Sequence, residues 1–380
     1  MRISMFTEVF LPKIDGVVTR VTRTLEQLAE MGHEVQLFAP GDPPAEYAGF
    51  EVVGVPGVSF KPVYPEITVA RPNSRIAKKI KEFQPDVIHA VNPVWLAAYG
   101  VGIAKRRNLP LVASFHTDVP EYVESLRIGW LRQPAASWIR MLHNRAAVNL
   151  CTSGPMIDKA VAGGIRNVEL WPKAVDTVGY HPAKNNEHSR SLLSGGRPDD
   201  PLVVYVGRMS LEKNLDRLAP IMRRVRETVP HARLAMVGSG PAIDELKRLM
   251  DPAYTTFTGY MSGADLAGAF AAGDVFAFPS TTETLGLVAL ESFASGVPVV
   301  GARAGGIPFV IDDGETGFLV EPEDVAGWAG RIAALLTDAD RHRAMSLAAR
   351  AEAERWSWRE ATETLVSYYD RAVEAHPRGR

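Results

Sequence analysis

The sequence predicts an α/β protein of two doubly wound parallel domains, and three observations carry that expectation. Short apolar runs alternate with helical periods along all 380 residues, and strands separated by helices build parallel sheets covered on both faces. The alternation starts twice, at "RISMFT" and again at "PLVVYVG", on either side of the polar, Gly-containing break "HPAKNNEHSRSLLSGGRPDD" (181–200). A chain this long also exceeds what one hydrophobic core usually serves. The expected division is 1–185 and 186–356.

Taken in order, "RISMFT" reads as a strand and "EVFLPKIDG" as a loop, with Gly16 where a helix begins. A stripe through Val18, Val21, Leu25 and Leu28 makes that helix amphipathic. Gly32 follows as a C-terminal cap before the strand "EVQLFAP". "DVIHAV", "LVASF", "VNLCT" and "VELWP" continue the first half. The second half runs "PLVVYVG", a helix from Leu215 to Thr228, then "RLAMVGSGP", "TTFTGY", "DVFAFP" and "VPVVGA".

Composition excludes several classes. An apolar fraction of 46% with 23% charged residues is ordinary for a globular protein. A formal net charge of −2 offers no basic field to gather nucleic acid. The single cysteine, Cys151, excludes an internal disulfide, fits a reducing compartment and reads as a buried small residue. No apolar run is long enough to span a bilayer, and Pro12 and Asp15 interrupt the only early one, so a cytoplasmic protein without signal peptide is expected. Asp338 and Asp340 end an Ala/Leu-rich helix and read as helix punctuation, so no metal site is expected.

Ligands of open α/β sheets bind beyond the carboxyl ends of the strands, and two such domains facing a central cleft would converge their strand ends there. The unusual residues sit at those ends: Gly16, His116, Arg208, Lys213 and Glu283. In "STTETLGLVALES" the turn after "DVFAFP" carries Glu283, and Glu291 lies about two turns into the following helix. They are roughly 10 Å apart along the axis. Between them the first amides of the helix form an anion site. A nucleotide diphosphate sugar fits that order, with its hexose on Glu283 and its ribose on Glu291. A capping and a solvated glutamate fit the spacing equally well. Arg208 and Lys213 suit a departing diphosphate or are plain surface charges. Gly16 lets a phosphate approach the backbone or simply makes a turn. His116 is a donor to a sugar oxygen or a structural histidine. "VGSGP" reads as a tight turn, and no G-x-G-x-x-G supports a nicotinamide oxidoreductase.

Together "FHTD", "GRMSLEKN", "FTGYM", "PSTTETLGLVALESFASGVPVV" and "AGGIP…TGFLV" resemble the retaining family 4 glycosyltransferases of GT-B fold, over nearly the whole chain. The resemblance implies that Glu283 contacts the donor sugar and Glu291 the ribose. It implies that Arg208, Lys213 and Gly16 hold the diphosphate, that His116 lies at the reacting sugar, and that Gly259, Tyr260 and Met261 line the base. Thr284, Leu285, Gly286 and Leu287 complete the donor loop. No cofactor beyond the nucleotide-sugar co-substrate is implied, and segment 357–380 crosses back onto the first domain.

Within the family, "FTEVFLPKIDGVVTR", "HAVNPVWL", "LVASFHTDVPEY" and "LHNRAAVNLCTS" are most similar to sulfoquinovosyltransferases and related lipid glycosyltransferases. Ala174 and Asp118 depart from that pattern and leave sugar and acceptor open. Residues 121–147 mix Arg127, Arg132, Arg140 and Arg145 with Trp130 and Trp138. That mixture suits either a helix on an anionic membrane or a helix with a solvated basic edge. The resemblance favours a hexose moved from a UDP-linked donor to a lipid such as diacylglycerol, on the inner membrane face. Transfer to a soluble natural-product or aminocyclitol core, a GDP-mannose-dependent lipid mannosyltransferase and a nucleotide-sugar-binding module without turnover remain the alternatives. Oligomeric state is not legible.

Overall fold

Every run read as a strand forms one in the computed structural model, which describes residues 1–13, 15–59, 68–116, 130 and 132–376. The strands of the first half are β1 (Arg2–Thr7), β2 (Glu34–Pro40), β3 (Glu46–Tyr47), β4 (Phe50–Val55), β5 (Gly57–Ser59), β6 (Thr68–Ala70), β7 (Val87–Val91), β8 (Leu111–Phe115), β9 (Val148–Cys151) and β10 (Val168–Leu170). The second half has β11 (Leu202–Val206), β12 (Arg233–Val237), β13 (Thr255–Gly259), β14 (Val275–Phe278), β15 (Val299–Ala302) and β16 (Gly317–Val320). Sequence reading passed over β3 to β6 and β16. "FEVVGV" is interrupted by Gly54, and the other four are two to four residues long, too short to show a period.

The first sheet has the order β10-β9-β8-β7-β1-β2-β4-β3, parallel except for the terminal β3–β4 pair. The second is wholly parallel, β13-β12-β11-β14-β15-β16. That is the doubly wound order in which the first strand lies at the centre and the chain reverses direction beside it. Both faces of the first sheet are buried. Met5 and Val87 point into one core cluster, while their neighbours Phe6 and Ile88 point into the other. Two buried faces explain why the strands read as continuous apolar runs.

Helix Gly16–Glu30 follows its pattern closely. Asp15 caps it by accepting from the Val17 and Val18 amides, Val18, Val21, Leu25 and Leu28 are buried, and Gly32 just beyond adopts φ 74°. The helix expected from Leu215 begins instead with a 3₁₀ turn, Leu215–Arg217, and becomes α-helical from Leu218 to Thr228. Asp338 accepts from the Arg341 amide and caps helix Ala339–Glu354, a punctuating role.

The chain divides into two compact units, residues 1–172 with 358–380, and residues 173–357. The first passage falls earlier than the polar break at 181–200 because the intervening segment packs on the second unit. Val175 N donates to Trp356 O at 3.1 Å, Lys173 pairs with buried Glu352 at 2.9 Å, and Tyr180 meets Phe270 edge-on. Helix Trp358–Glu374 returns to the first unit and buries Leu365, Tyr369 and Ala372 there.

Candidate active site

In the second unit the sheet reverses direction between β11 and β14, so the crevice at their carboxyl ends is the expected ligand position. The loop after β11 brings Lys213 there and the loop after β14 brings Glu283. Lys213 Nζ lies 2.5 Å from Glu283 Oε1, and both side chains are about four-fifths buried. Asn214, in the left-handed conformation at φ 52°, donates from Nδ2 to Thr281 Oγ1 at 2.9 Å and ties the same two loops together. Neither Asn214 nor Thr281 stands out in the sequence. Their only signal is an Asn after the loop lysine and a Thr in the Thr-rich turn.

The neighbouring loops support this pair through their backbones. Gly207 N donates to Val237 O, Met209 N to Ser239 O, and Gly238 N to Gly259 O. A Cβ on Gly238 would sit 2.0 Å from Gly207 O, and one on Gly240 2.3 Å from Met209 O. "VGSGP" is thus a close approach of two loops rather than only a tight turn. The loop after β14 is buttressed from the β15 side in the same manner. Gly306 N donates to Glu283 O at 2.6 Å, and Cβ atoms on Gly305 and Gly306 would meet Glu283 O and Thr284 O at 2.6 and 2.2 Å.

Gly286 adopts φ 87° and opens helix Leu287–Ala294, with Leu285 buried beneath it. Glu291 stands on the second turn of that helix. Arg208 follows β11, and its carbonyl accepts from the Tyr205 hydroxyl at 2.9 Å. Gly259 ends β13 at φ 79°, Tyr260 is exposed, and Met261 packs against the core. The structure therefore brings Lys213 and Glu283 into contact, with Arg208 on the same loop as Lys213, Thr284 to Leu287 following Glu283, and Gly259 to Met261 on the adjoining β13 loop.

Gly16 and His116 belong to the first unit. Gly16 is the exposed first residue of its helix. His116 is buried just past β8: its amide donates to Asn92 Oδ1 at 3.2 Å, its Nε2 lies 2.9 Å from Ser114 Oγ, and its ring meets Trp171 edge-on. Burial first, then the positive charges of Arg20, His89 and His143, hold this imidazole neutral and well below its ordinary range. Arg20 is itself buried. It donates to the Pro172 and Trp171 carbonyls and stacks over Trp171, and burial lowers it to about 9.

The reversal point of the first sheet lies between β1 and β7. Glu8, just after β1, accepts from the amides of Val94, Trp95, Leu96 and Ala97 at 2.6–3.0 Å and caps helix Leu96–Arg107. Burial raises its carboxyl above the usual range despite those four donors.

In the basic, Trp-containing segment, residues 121–129 and 131, and Asp118 before them, lie outside the described residues. Trp130 is exposed, and helix Arg132–His143 presents Arg132, Trp138, Arg140 and Met141 outward. Among the described residues no helix is long and apolar enough to cross a membrane, and no group of three metal-ligating side chains converges.

The family model described as Glycosyltransferase Family 4 matches residues 14–178, and that described as Glycosyl transferases group 1 matches residues 200–338. Sulfoquinovosyl transferase SQD2 of Arabidopsis thaliana is 38% identical over 96% of this chain and 72% of its own. A GDP-mannose-dependent alpha-mannosyltransferase of Mycolicibacterium smegmatis is 34% identical over 97% of each chain. Alpha-monoglucosyldiacylglycerol synthase of Streptococcus pneumoniae is 28% identical over 86% of this chain and 77% of its own. Among solved structures, sucrose-phosphate synthase from Thermosynechococcus elongatus superposes with a TM-score of 0.82 at 21% identity, covering 98% of this chain and 99% of that one. Anabaena HepE, solved with UDP-glucose, gives 0.78 at 19% identity, covering 97% and 99%.

Proposed function

The chain belongs to the family 4 glycosyltransferases, with the GT-B architecture of two doubly wound domains, and from that membership we propose a specific activity. It moves a hexose-type sugar from a UDP-linked donor to a lipid acceptor of the diacylglycerol type, with retention of configuration and without a metal ion. The observation that carries this reading is the Lys213–Glu283 pair at the reversal point of the second sheet. A cation and a carboxylate side by side suit the two ends of the bond that breaks: diphosphate charge grows toward Lys213 and Arg208, while Glu283 accepts from hydroxyls of the sugar. Glu291, on the second turn of the helix, takes the ribose, and Gly259, Tyr260 and Met261 take the base.

His116 and Gly16 are assigned to the sugar and the diphosphate on the family resemblance of "FHTD" and of the loop before the first helix. The lipid acceptor is supported by the diacylglycerol named for the Streptococcus pneumoniae relative and by the outward Trp130, Trp138, Arg132 and Arg140, a composition suited to an anionic cytoplasmic leaflet.

Transfer of mannose from GDP-mannose is the second reading, favoured by the Mycolicibacterium smegmatis relative that matches almost end to end. Nucleotide release by the purified protein, measured with UDP- and GDP-sugars in EDTA with and without diacylglycerol vesicles, tests the proposal. Release from a UDP-sugar that needs the lipid is expected. Release from GDP-mannose alone would replace the donor, and dependence on added Mg²⁺ or Mn²⁺ would overturn the metal-free mechanism.

A further inference from the structure

The loop after β11 and the loop after β14 are joined by links of two kinds. One is ionic: Lys213 Nζ meets Glu283 Oε1 at 2.5 Å. The other is neutral: Asn214 Nδ2 donates to Thr281 Oγ1 at 2.9 Å, and Thr282 Oγ1 donates to Glu212 O at 3.4 Å.

Asn214 closes the 3₁₀ turn Leu211–Lys213, its backbone amide donating to Leu211 O at 3.1 Å, and its φ of 52° turns the chain into the next one, Leu215–Arg217. Glycine takes that conformation without steric cost, whereas asparagine is only tolerated in it. The asparagine supplies what glycine cannot, an amide that reaches the other loop. The turn before it is stiff. Lys213 N donates to Ser210 O at 3.1 Å, and the buried Ser210 donates from Oγ to Glu212 Oε1 at 2.6 Å. Fixing Asn214 therefore fixes the backbone of Lys213.

A diphosphate arriving at Lys213 changes the balance between the two kinds of link. Its negative charge repels the Glu283 carboxylate, and its oxygens compete with that carboxylate for the ammonium protons. The ionic link weakens as the donor binds, while the neutral links, which carry no net charge, do not. We propose that Asn214, through Thr281, is a positioning residue which holds the Lys213 and Glu283 loops in register once the donor has loosened their ion pair. This rests on the reading that Lys213 takes the diphosphate and Glu283 the sugar, both within the second unit. Without ligand the Asn214–Thr281 bond shares the load with the ion pair; during turnover the load falls on the neutral bond.

Two variants cut this bond from opposite sides. Asn214→Gly keeps the backbone conformation and loses the amide. Thr281→Val keeps the shape and loses the hydroxyl, and Thr281→Ser, which retains the hydroxyl, is the rescue. Hydrogen exchange of the full chain is followed over residues 209–217 and 280–286, alone and with saturating UDP, or GDP should the protein bind that instead. Wild-type protection should hold or rise with nucleotide. In Asn214→Gly and Thr281→Val it should stay near wild type without nucleotide and fall with it, a response that general destabilisation does not give. kcat should drop about 10- to 100-fold, the scale for a misplacement of about an ångström. Nucleotide affinity should be nearly unchanged, because the flexible lysine stem still reaches the phosphates. Thr281→Ser should recover most of the lost kcat. Full nucleotide binding in a calorimetric titration shows that the variants are folded. Protection that responds to nucleotide as in wild type, or a near-normal kcat, in the folded variants overturns the proposal. Lys213→Met then separates the two levels of the argument. If it too turns over normally, Lys213 does not act on the donor and the underlying reading falls as well; if it is crippled, that reading stands without the inference.

Discussion

At the scale of single residues the roles proposed for Glu283 and Glu291 should be separable. In the proposed site Glu291 takes the ribose, a part of the donor that does not change during reaction, so Glu291→Ala should raise KM for the donor and leave kcat nearly unchanged. It should also weaken nucleoside diphosphate binding by ~1.5–3 kcal/mol, the range for a charged hydrogen bond. Glu283 is proposed to take the sugar, which the free nucleotide lacks, so Glu283→Ala should lower kcat. Its ion pair with Lys213 adds a consequence that sequence spacing did not suggest. Removing Glu283 frees the ammonium for the diphosphate, so nucleotide affinity should hold or rise. Calorimetric titration of both variants checks this, and equal weakening by both would remove Glu283 from the sugar. Glu283 and Lys213 were legible because their loops follow strands. Their contact, like those of Asn214 with Thr281 and of Glu8 with the 94–97 amides, was not. Each joins residues 67 or more positions apart, and only the strand order brings them together.

At the scale of elements, the loop carrying Glu283 is held from below by glycines of the following β-loop. Gly306 has φ −84°, a conformation any residue adopts, so Gly306→Ala tests contact alone. Its Cβ would fall 2.2 Å from Thr284 O and 2.8 Å from Leu285 N, both backbone atoms. The donor loop must then shift by an ångström or so, which should reduce kcat by about 10²-fold and cost about 1–3 kcal/mol of stability as overpacking does. Gly330, inside helix Val325–Thr337 with nothing within 4 Å of its Cβ, is the control. Gly330→Ala should leave activity intact and hold or raise Tm. Steady-state kinetics with thermal melts decides, and normal turnover in Gly306→Ala would mean that the loop's exact position is unimportant. "AGGIP" was noticed only as part of a resemblance, since a glycine needed for a neighbour's backbone looks like any turn glycine. The helices and most strands, by contrast, were legible from period and caps, because the stripe of Val18, Val21, Leu25 and Leu28 needs no knowledge of its partners.

For the whole molecule, the repeated strand–helix alternation revealed two sheets but misplaced the passage between them, because residues 173–185 are held by distant partners such as Glu352 and Trp356. The same division localises a pH effect. His89, His143 and His116 are all buried in the first unit; burial pushes His89 to about 3, His143 to about 4, and His116 well below its ordinary range. Unfolded, each binds a proton near pH 6.5. Below that pH the unfolded chain holds more protons than the folded one, so the stability these rings contribute is full above about 6.5 and is lost as pH falls toward 4. Each ring adds a slope of up to about 1.4 kcal/mol per pH unit. Glu8, raised by burial, acts in the opposite sense above its ordinary 4.5 but is one group against three rings, and the lowered Glu51, Glu352 and Asp313 add further loss only below about 4.5. Between pH 6.5 and 5 the histidines therefore dominate. Hydrogen exchange followed peptide by peptide should show protection in β7, β8 and helix Trp358–Glu374 falling steeply across that interval. His143→Gln, which can keep a bond to Asn149 without a titrating ring, should flatten the dependence by up to about 1.4 kcal/mol per pH unit. An unchanged slope in that variant would mean that His143 is already protonated in the folded protein, and that the first unit owes its acid sensitivity to another group.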